Sequence, residues 1–587
     1  MRFPCLLLVV SAVLSLSKAE EQQKSNGTRR TRQLKLSEAE SFLHAEQLLW
    51  SGSGRHTQED AFLSFETSSP TPITSVSFTD FPSIAPVANS APTVSSSKYP
   101  TQVPIRSTDP YPGTSATEQP TNFICDGFNR SDILLGLLQS VTSEDLLLNR
   151  SLPQGQAFLW LLDTDITTDP CIYPSVKQRY SVAVIYFALG GNNGASWIES
   201  TGWLSSMEEC DWARVNCDEK GGVTGLQLGR NNLTGMIPKE ISELTALQAL
   251  VMNDNTIEGP LPETIGSLRN LTDLDLEDNF LEGNPLLTLS SLKKLRSLRL
   301  SFNSFDGSVP SSIGGWNELQ EMWMAGNFFR GELPTEIGLI GNQLSSLFIY
   351  ENELEGTLPS ELGNLGLSEF LGQANMFEGS IPQELFRNFD LVVLRLDQNK
   401  LTGTVSNAIG GLNNLQDLRL NLNSLSGNLP ILLYGLSNIQ NLLLSNNRFD
   451  GQIRNAFGNW NALDFADFAQ NRFTGFIPPS LFEAESLRIL YLNNNLLQGP
   501  IPLNFGKPRK LRDLYLNSNI LTGEIPSIPT GSLLNLSEFL LQDNQLQGIT
   551  MPPSVCSLIE QDGELEDLWA DCLDTDDVDC QCCTQCF

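Results

Sequence analysis

The chain has 587 residues, with 36 Lys and Arg against 68 Asp and Glu, and a formal net charge of −32. Nucleic acid is held by basic side chains that replace its counterions, so a nucleic-acid partner is not expected. The same charge favours solubility.

The opening MRFPCLLLVVSAVLSLSKA, residues 1–19, reads as a secretory signal peptide. It has a basic start at Arg2, an apolar run from Cys5 to Leu16 and a small-x-small cleavage site at Ser17-Lys18-Ala19. Cleavage after Ala19 removes Cys5 from the eleven cysteines. The ten that remain form an even set, which in an exported chain predicts disulfides. Later apolar runs such as Val182–Leu189 fall far short of the roughly 18–20 residues of a membrane span, and the C-terminus lacks the apolar tail of a lipid-anchor signal. No membrane span is expected, and the protein is expected to be secreted, extracellular or cell-wall associated.

Residues 20–121 are expected to be a disordered stalk. The run RRTR at Arg29–Arg32 has the composition of a processing site, and 32 of the 58 positions from 64 to 121 are Ser, Thr or Pro. Such a tract buries too little apolar surface to offset chain entropy. It suits O-glycosylation, with a plain linker as the alternative. Residues 122–222 are predicted to be helical: SDILLGLLQSV, GQAFLWLLDTD and VKQRYSVAVIYFALGG carry helical apolar spacing, the last ending at Gly190-Gly191. Cys125 and Cys171 are a plausible pair in this block.

Residues 223–553 repeat. One asparagine marks each unit: Asn231, Asn255, Asn279, Asn303, Asn327, Asn352, Asn375, Asn399, Asn423, Asn447, Asn471, Asn495, Asn519 and Asn544. Fourteen units at a period of 24, with single-residue departures into Asn352, Asn375 and Asn544, mean a solenoid. In LxxLxLxxN the last two leucines alternate, so both point inward from a short strand, and neighbouring strands pair in parallel about 4.8 Å apart. The asparagine follows the strand, where its amide can satisfy backbone groups that would otherwise be buried unpaired.

The pattern LxxLxLxxNxLxGxIPxxLxxLxx resembles the plant-type leucine-rich repeat, from Val223 to about Pro553. That resemblance implies an α/β fold: a leucine-rich-repeat solenoid curved into a right-handed superhelix, with a parallel β-sheet on the concave face and disulfide-capped ends. Repeats centred on Asn279, Asn399 and Asn447 lack the expected proline, and Gly372 replaces an inward leucine. The preceding stretch is similar to the family's N-terminal cap, in which Cys210 and Cys217 flank Trp212 and are implied to pair; Arg214 stands where glycine is usual. Both flanks look like those of secreted leucine-rich-repeat proteins of diatoms and related algae.

Residues 554–587 carry Cys556, Cys572, Cys580, Cys582, Cys583 and Cys586, and between Glu560 and Asp579 there are ten acidic residues and no Lys or Arg. A solenoid needs a polar lid on its last apolar edge, and three disulfides would staple one this small. A zinc or redox site on Cys580, Cys582, Cys583 and Cys586 is the alternative; the export signal and the ligand spacing favour the disulfides. The carboxylates at Asp574–Asp579 read as a solvated acidic face rather than a Ca²⁺ loop. No cofactor or metal is expected.

An enzyme is not expected either. His44 and His56, the only histidines, precede the folded part, so no His-based triad or metal site can be built in the array. Binding is the better reading. The variable residue between the two inward leucines forms one outward column: Gln227, Val251, Asp275, Arg299, Trp323, Phe348, Leu371, Arg395, Arg419, Leu443, Asp467, Tyr491, Tyr515 and Leu540. Water-facing strand positions should be polar, yet Trp323, Phe348 and Leu371 are consecutive, with Phe302 and Tyr350 near them and Arg395 and Arg419 following. An aromatic patch edged by arginines has hot-spot composition. Tyr491 with Tyr515 makes a second patch. Six glycosylation sequons, at Asn26, Asn129, Asn149, Asn232, Asn270 and Asn535, all fall outside the column. The expected function is a secreted or cell-surface recognition protein that binds a protein, peptide or glycan on the concave face; the alternative is a structural cell-wall or adhesion protein.

Overall fold

The computed structural model describes residues 129–165, 170–171, 173–191, 197–547, 550–560, 564–572 and 580–587. The signal peptide, the Ser/Thr/Pro tract, Arg29–Arg32, the histidines, Cys125, Asn26 and Asp574–Asp579 lie outside the described residues.

The helical block begins at Arg130–Leu138, whose N-cap Asn129 accepts the Asp132 N–H. Pro153–Leu159 starts with proline at its first turn, where no amide is needed, and runs on into the wider turn Trp160–Thr164. Tyr173–Ala188 is the longest helix of the block. Its Arg179 is buried, with Nε 2.6 Å from Asp165 and Nη1 2.9 Å from Glu209. The guanidinium also lies 5.1 Å from the Trp160 ring and 5.2 Å from that of Trp212. A buried charge is tolerated only when so paired, and this one ties the helices to the loop closed by the Cys210–Cys217 disulfide. Arg214 in that loop has φ +67°, the left-handed region in which glycine is favoured. Hydrogen bonds from Nη1 to the carbonyls of Gln227 and Gly229 hold it there.

Val215–Cys217 pairs antiparallel with Val223–Gln227. From that strand on, every step is parallel and links the same repeat position, as in Glu321–Trp323 with Ser346–Phe348 and then Glu369–Leu371. The result is a 17-stranded sheet. The inward residues on either side of each column member are buried: Met322 and Met324 around Trp323, Leu394 and Leu396 around Arg395. Beyond the fourteenth repeat the sheet continues through Asp567–Ala570, paired with Glu538–Leu540, and through Gln585–Cys586. The repeat pattern did not predict those two strands. They belong to the terminal lid, where Cys556–Cys582, Cys572–Cys586 and Cys580–Cys583 are disulfides. The terminal thiols are thus oxidised rather than arranged as a zinc site. Cys171 is also disulfide-bonded.

The asparagines form a ladder behind the strands. Asn447 Oδ1 accepts the Leu425 N–H at 2.9 Å, and its Nδ2 donates to the carbonyls of Leu420, Leu444 and Ser445. Each such side chain therefore joins its own repeat to the one before. The residue preceding the asparagine takes a left-handed conformation along the array, at φ 55° for Phe302, 52° for Glu351 and 52° for Gln470.

On the other side, an 8-stranded and a 6-stranded sheet carry the Gly-x-Ile-Pro segments. A short helix normally follows the proline, as in Lys239–Glu243 after Pro238. Departures from the pattern are absorbed locally. Ser406 replaces proline by accepting the Ala408 N–H with its hydroxyl, and the helix Asn407–Gly411 still forms. At Arg454 no short helix forms, yet Phe457 and Trp460 still turn inward and are buried, as Leu433 and Leu436 are one repeat earlier. The space left at Gly372 is closed by Leu396 and the Phe370 ring together.

Candidate ligand-binding face

The strand register places Trp323, Phe348, Leu371, Arg395 and Arg419 side by side. Trp323 and Phe348 stack, with ring centroids 4.9 Å apart and planes 15° from parallel. The Arg299 guanidinium covers Trp323 at 4.2 Å from the ring centroid, a cation–π contact. Arg299 is itself held by Glu321, 2.6 Å from Nη2, and lies 3.9 Å from Asp275. Side chains that stack along the solenoid present their edges, not their faces, outward. Phe302, one residue before its asparagine, and Tyr350, two before its own, meet edge to face at 6.3 Å beside the column. Phe302 is held there by its left-handed backbone and by Gly326, where a side chain would collide with its ring.

Arg395 and Arg419 share one carboxylate. Asp417 Oδ2 is 2.8 Å from Arg395 Nη2, and its Oδ1 is 3.1 Å from Arg419 Nε. Burial raises the Asp397 carboxyl to about 6, against the pull of both arginines.

On the other flank of the aromatic strip the face is acidic. Burial, then the charges of Asp275, Asp254 and Asp278, push Glu277 up to about 7, while Arg299 opposes the shift. Asp275 is raised by burial as well, and burial pushes Tyr350 to about 12. The face therefore runs from carboxylates, through aromatic edges, to a pair of arginines.

Leu443 and Asp467 are buried and separate this patch from a second one. There Tyr491 and Tyr515 stack at 4.3 Å, with Phe465 against Tyr491 at 5.6 Å. The Tyr515 hydroxyl donates to Glu538. Burial comes first among the causes that raise both tyrosines, so they stay protonated. Beyond Leu540 the column gains Trp569, 5.6 Å from Phe587.

Three contributors were not legible as site residues in the sequence. Arg299 stood in the column but only the structure shows it capping Trp323. Asp417 lies two positions before the column, on the same strand face. Trp569 lies in Leu565-x-x-Leu568-x-Ala570, a partial repeat signature that lacks the asparagine. Among the described sequons Asn129, Asn149, Asn232 and Asn535 are exposed and Asn270 is half-buried. Among the described residues no helix is long and apolar enough to cross a membrane.

A Leucine Rich Repeat family model matches residues 294–316, 438–460 and 486–508. The chain is 30% identical to a TDR receptor, over 56% of this chain and 57% of that one, with a TM-score of 0.52. It is also 30% identical to the plant peptide hormone receptor RGFR1, solved in complex with RGF2, over 62% of this chain and 68% of that one, with a TM-score of 0.51. A curated relative, the receptor-like kinase TMK4 of Arabidopsis thaliana, is 27% identical over 121 residues. Those residues make up 20% of this chain and only 13% of the kinase.

Proposed function

From the premise that the chain belongs to the plant-type leucine-rich-repeat family, we propose that it is a secreted recognition protein that binds a peptide or protein partner on the outer face of its long sheet. The observation that carries this reading is the stacked, half-exposed Trp323–Phe348 pair. Aromatic groups of this kind on a water-facing sheet are the usual anchors of an interface. Phe302, Tyr350 and Leu371 would widen the anchor. Arg395 and Arg419 would receive an anionic group, and Tyr491 with Tyr515 would give a second contact. The similarity to a peptide hormone receptor supports a peptide over a glycan, because edge-on rings offer no flat platform for a sugar.

The test is affinity capture with the secreted full chain, run in parallel with Trp323→Ala. A partner retained by the wild type and lost by the variant supports the reading. A partner captured equally by both overturns the site.

A further inference from the structure

The repeat at Arg454 is one of several that lack the short helix, and it leaves a notch on the side of the solenoid away from the long sheet. The segments before and after it keep their helices, Ile431–Gly435 and Pro479–Glu483. Between them lies a depression of about 530 Å³, lined by Ile431, Tyr434, Arg454, Phe476, Pro478 and Pro479 among others. Its rim is apolar and open to water: Ile431 is 53% exposed and Phe476 63%. The Tyr434 hydroxyl accepts the Arg454 N–H at 3.1 Å, which fixes the floor. The Phe476 ring edge fills the space that a side chain at Gly499 would need, so the ring is positioned rather than loose.

The surroundings are basic in a chain of net charge −32. Arg454 lies in the notch, and Arg448 and Arg472 begin the strands Arg448–Gln452 and Arg472–Gly475 that lead to it. Residues four apart on a strand share a face. Arg448 thus faces the same way as Gln452, a lining residue, roughly 13 Å away, with the carboxylate of Asp450 between them. None of the three arginines has an ion pair among the described residues, whereas Arg230, Arg296, Arg299, Arg395 and Arg488 each have one.

We propose that this notch is a second docking site, independent of the sheet face, for an acidic peptide segment of a partner protein. The segment inserts a bulky apolar side chain between Ile431 and Phe476 and sets carboxylates against Arg454, Arg448 and Arg472. The volume suits one or two such side chains, and the unpaired arginines supply the charge complementarity that selects an acidic partner.

The probe is a displayed library of random heptapeptides, selected on the full chain, with each bound clone retested on Phe476→Ser, Arg454→Glu and Trp323→Ala. All three positions are exposed or half-exposed, so Phe476→Ser and Arg454→Glu should keep the wild-type melting temperature, and Trp323→Ala, which loses its stacking partner, should lower it only slightly. The expected result is a class of clones that are net negative around a bulky apolar residue. These should weaken at least tenfold on Phe476→Ser and on Arg454→Glu and hold on Trp323→Ala. The proposal is overturned if no clone depends on Phe476, or if the dependent clones are neutral or basic. It is overturned equally if sedimentation shows self-association that Phe476→Ser abolishes, because the occupant would then be a second copy of the chain.

Discussion

Trp323 and Phe348 stand face to face on neighbouring strands, 4.9 Å between ring centroids, with Arg299 closing the other face of the indole. Each ring is therefore both a stabilising contact and a surface. Trp323→Ala should cost about 1 kcal/mol of stability, the scale of one aromatic pair with a cation–π contact. It should weaken the captured partner by about 2 kcal/mol or more, the hot-spot scale. Chemical denaturation and titration calorimetry on the same samples separate the two. A stability loss as large as the affinity loss would make the residue structural only.

Asp417 is expected to be the keystone of the arginine pair. Its removal leaves two guanidinium groups facing each other, and Asp417→Asn should destabilise by about 2 kcal/mol, the scale of charged hydrogen bonds. Arg419→Gln, which leaves Asp417 paired with Arg395, should cost less. A denaturant series that ranks the two variants the other way would refute the shared-carboxylate arrangement.

Glu277 gives stability a pH dependence with a definite sign. Its carboxyl is raised from 4.5 to about 7, so the folded chain binds this proton more tightly than the unfolded one. The contribution is complete below about pH 4.5 and is lost as pH rises towards 7. Asp397 and Asp513, each raised to about 6, act in the same direction. The melting temperature should therefore fall between about pH 5 and 7, and Glu277→Gln should remove part of that fall. An identical slope in the variant would show that the titration lies elsewhere.

Asn447→Ala should strand the Leu425 N–H, while the Leu420 carbonyl keeps its bond from Asn423 Nδ2, at about 1–3 kcal/mol for a buried polar group left unpaired. Amide exchange should quicken first at Leu425 and its neighbours. Uniform quickening along the chain would mean that the ladder acts globally rather than bond by bond.

The asparagine spacing made the column legible in advance, because a fixed period forces residues at one repeat position onto adjacent strands. The helices at Arg130–Leu138 and Tyr173–Ala188 were legible from apolar spacing. What the period does not encode was hidden. Asp417 reaches across from a different repeat position, and the orientation of Phe302 depends on a left-handed backbone shared with Gly326. Trp569 lies in a lid whose strand keeps only part of the signature, Leu565-x-x-Leu568-x-Ala570 without the asparagine. The missing proline at Arg454 was visible as an irregularity, but the notch arises from what the flanking helices do, and no single repeat records that.

The ladder makes the repeat a unit of length. Because Asn423 and Asn447 occupy equivalent places, excising residues 424–447 joins two intact registers and keeps Asn423 correctly spaced from Asn471. The Trp323 and Tyr491 patches then move closer by one strand spacing, about 4.8 Å, with neither patch altered. The solenoid is in this sense a graduated ruler, read in whole strands. A partner that touches one patch should not notice the excision, whereas a partner that spans both should lose one of its two holds.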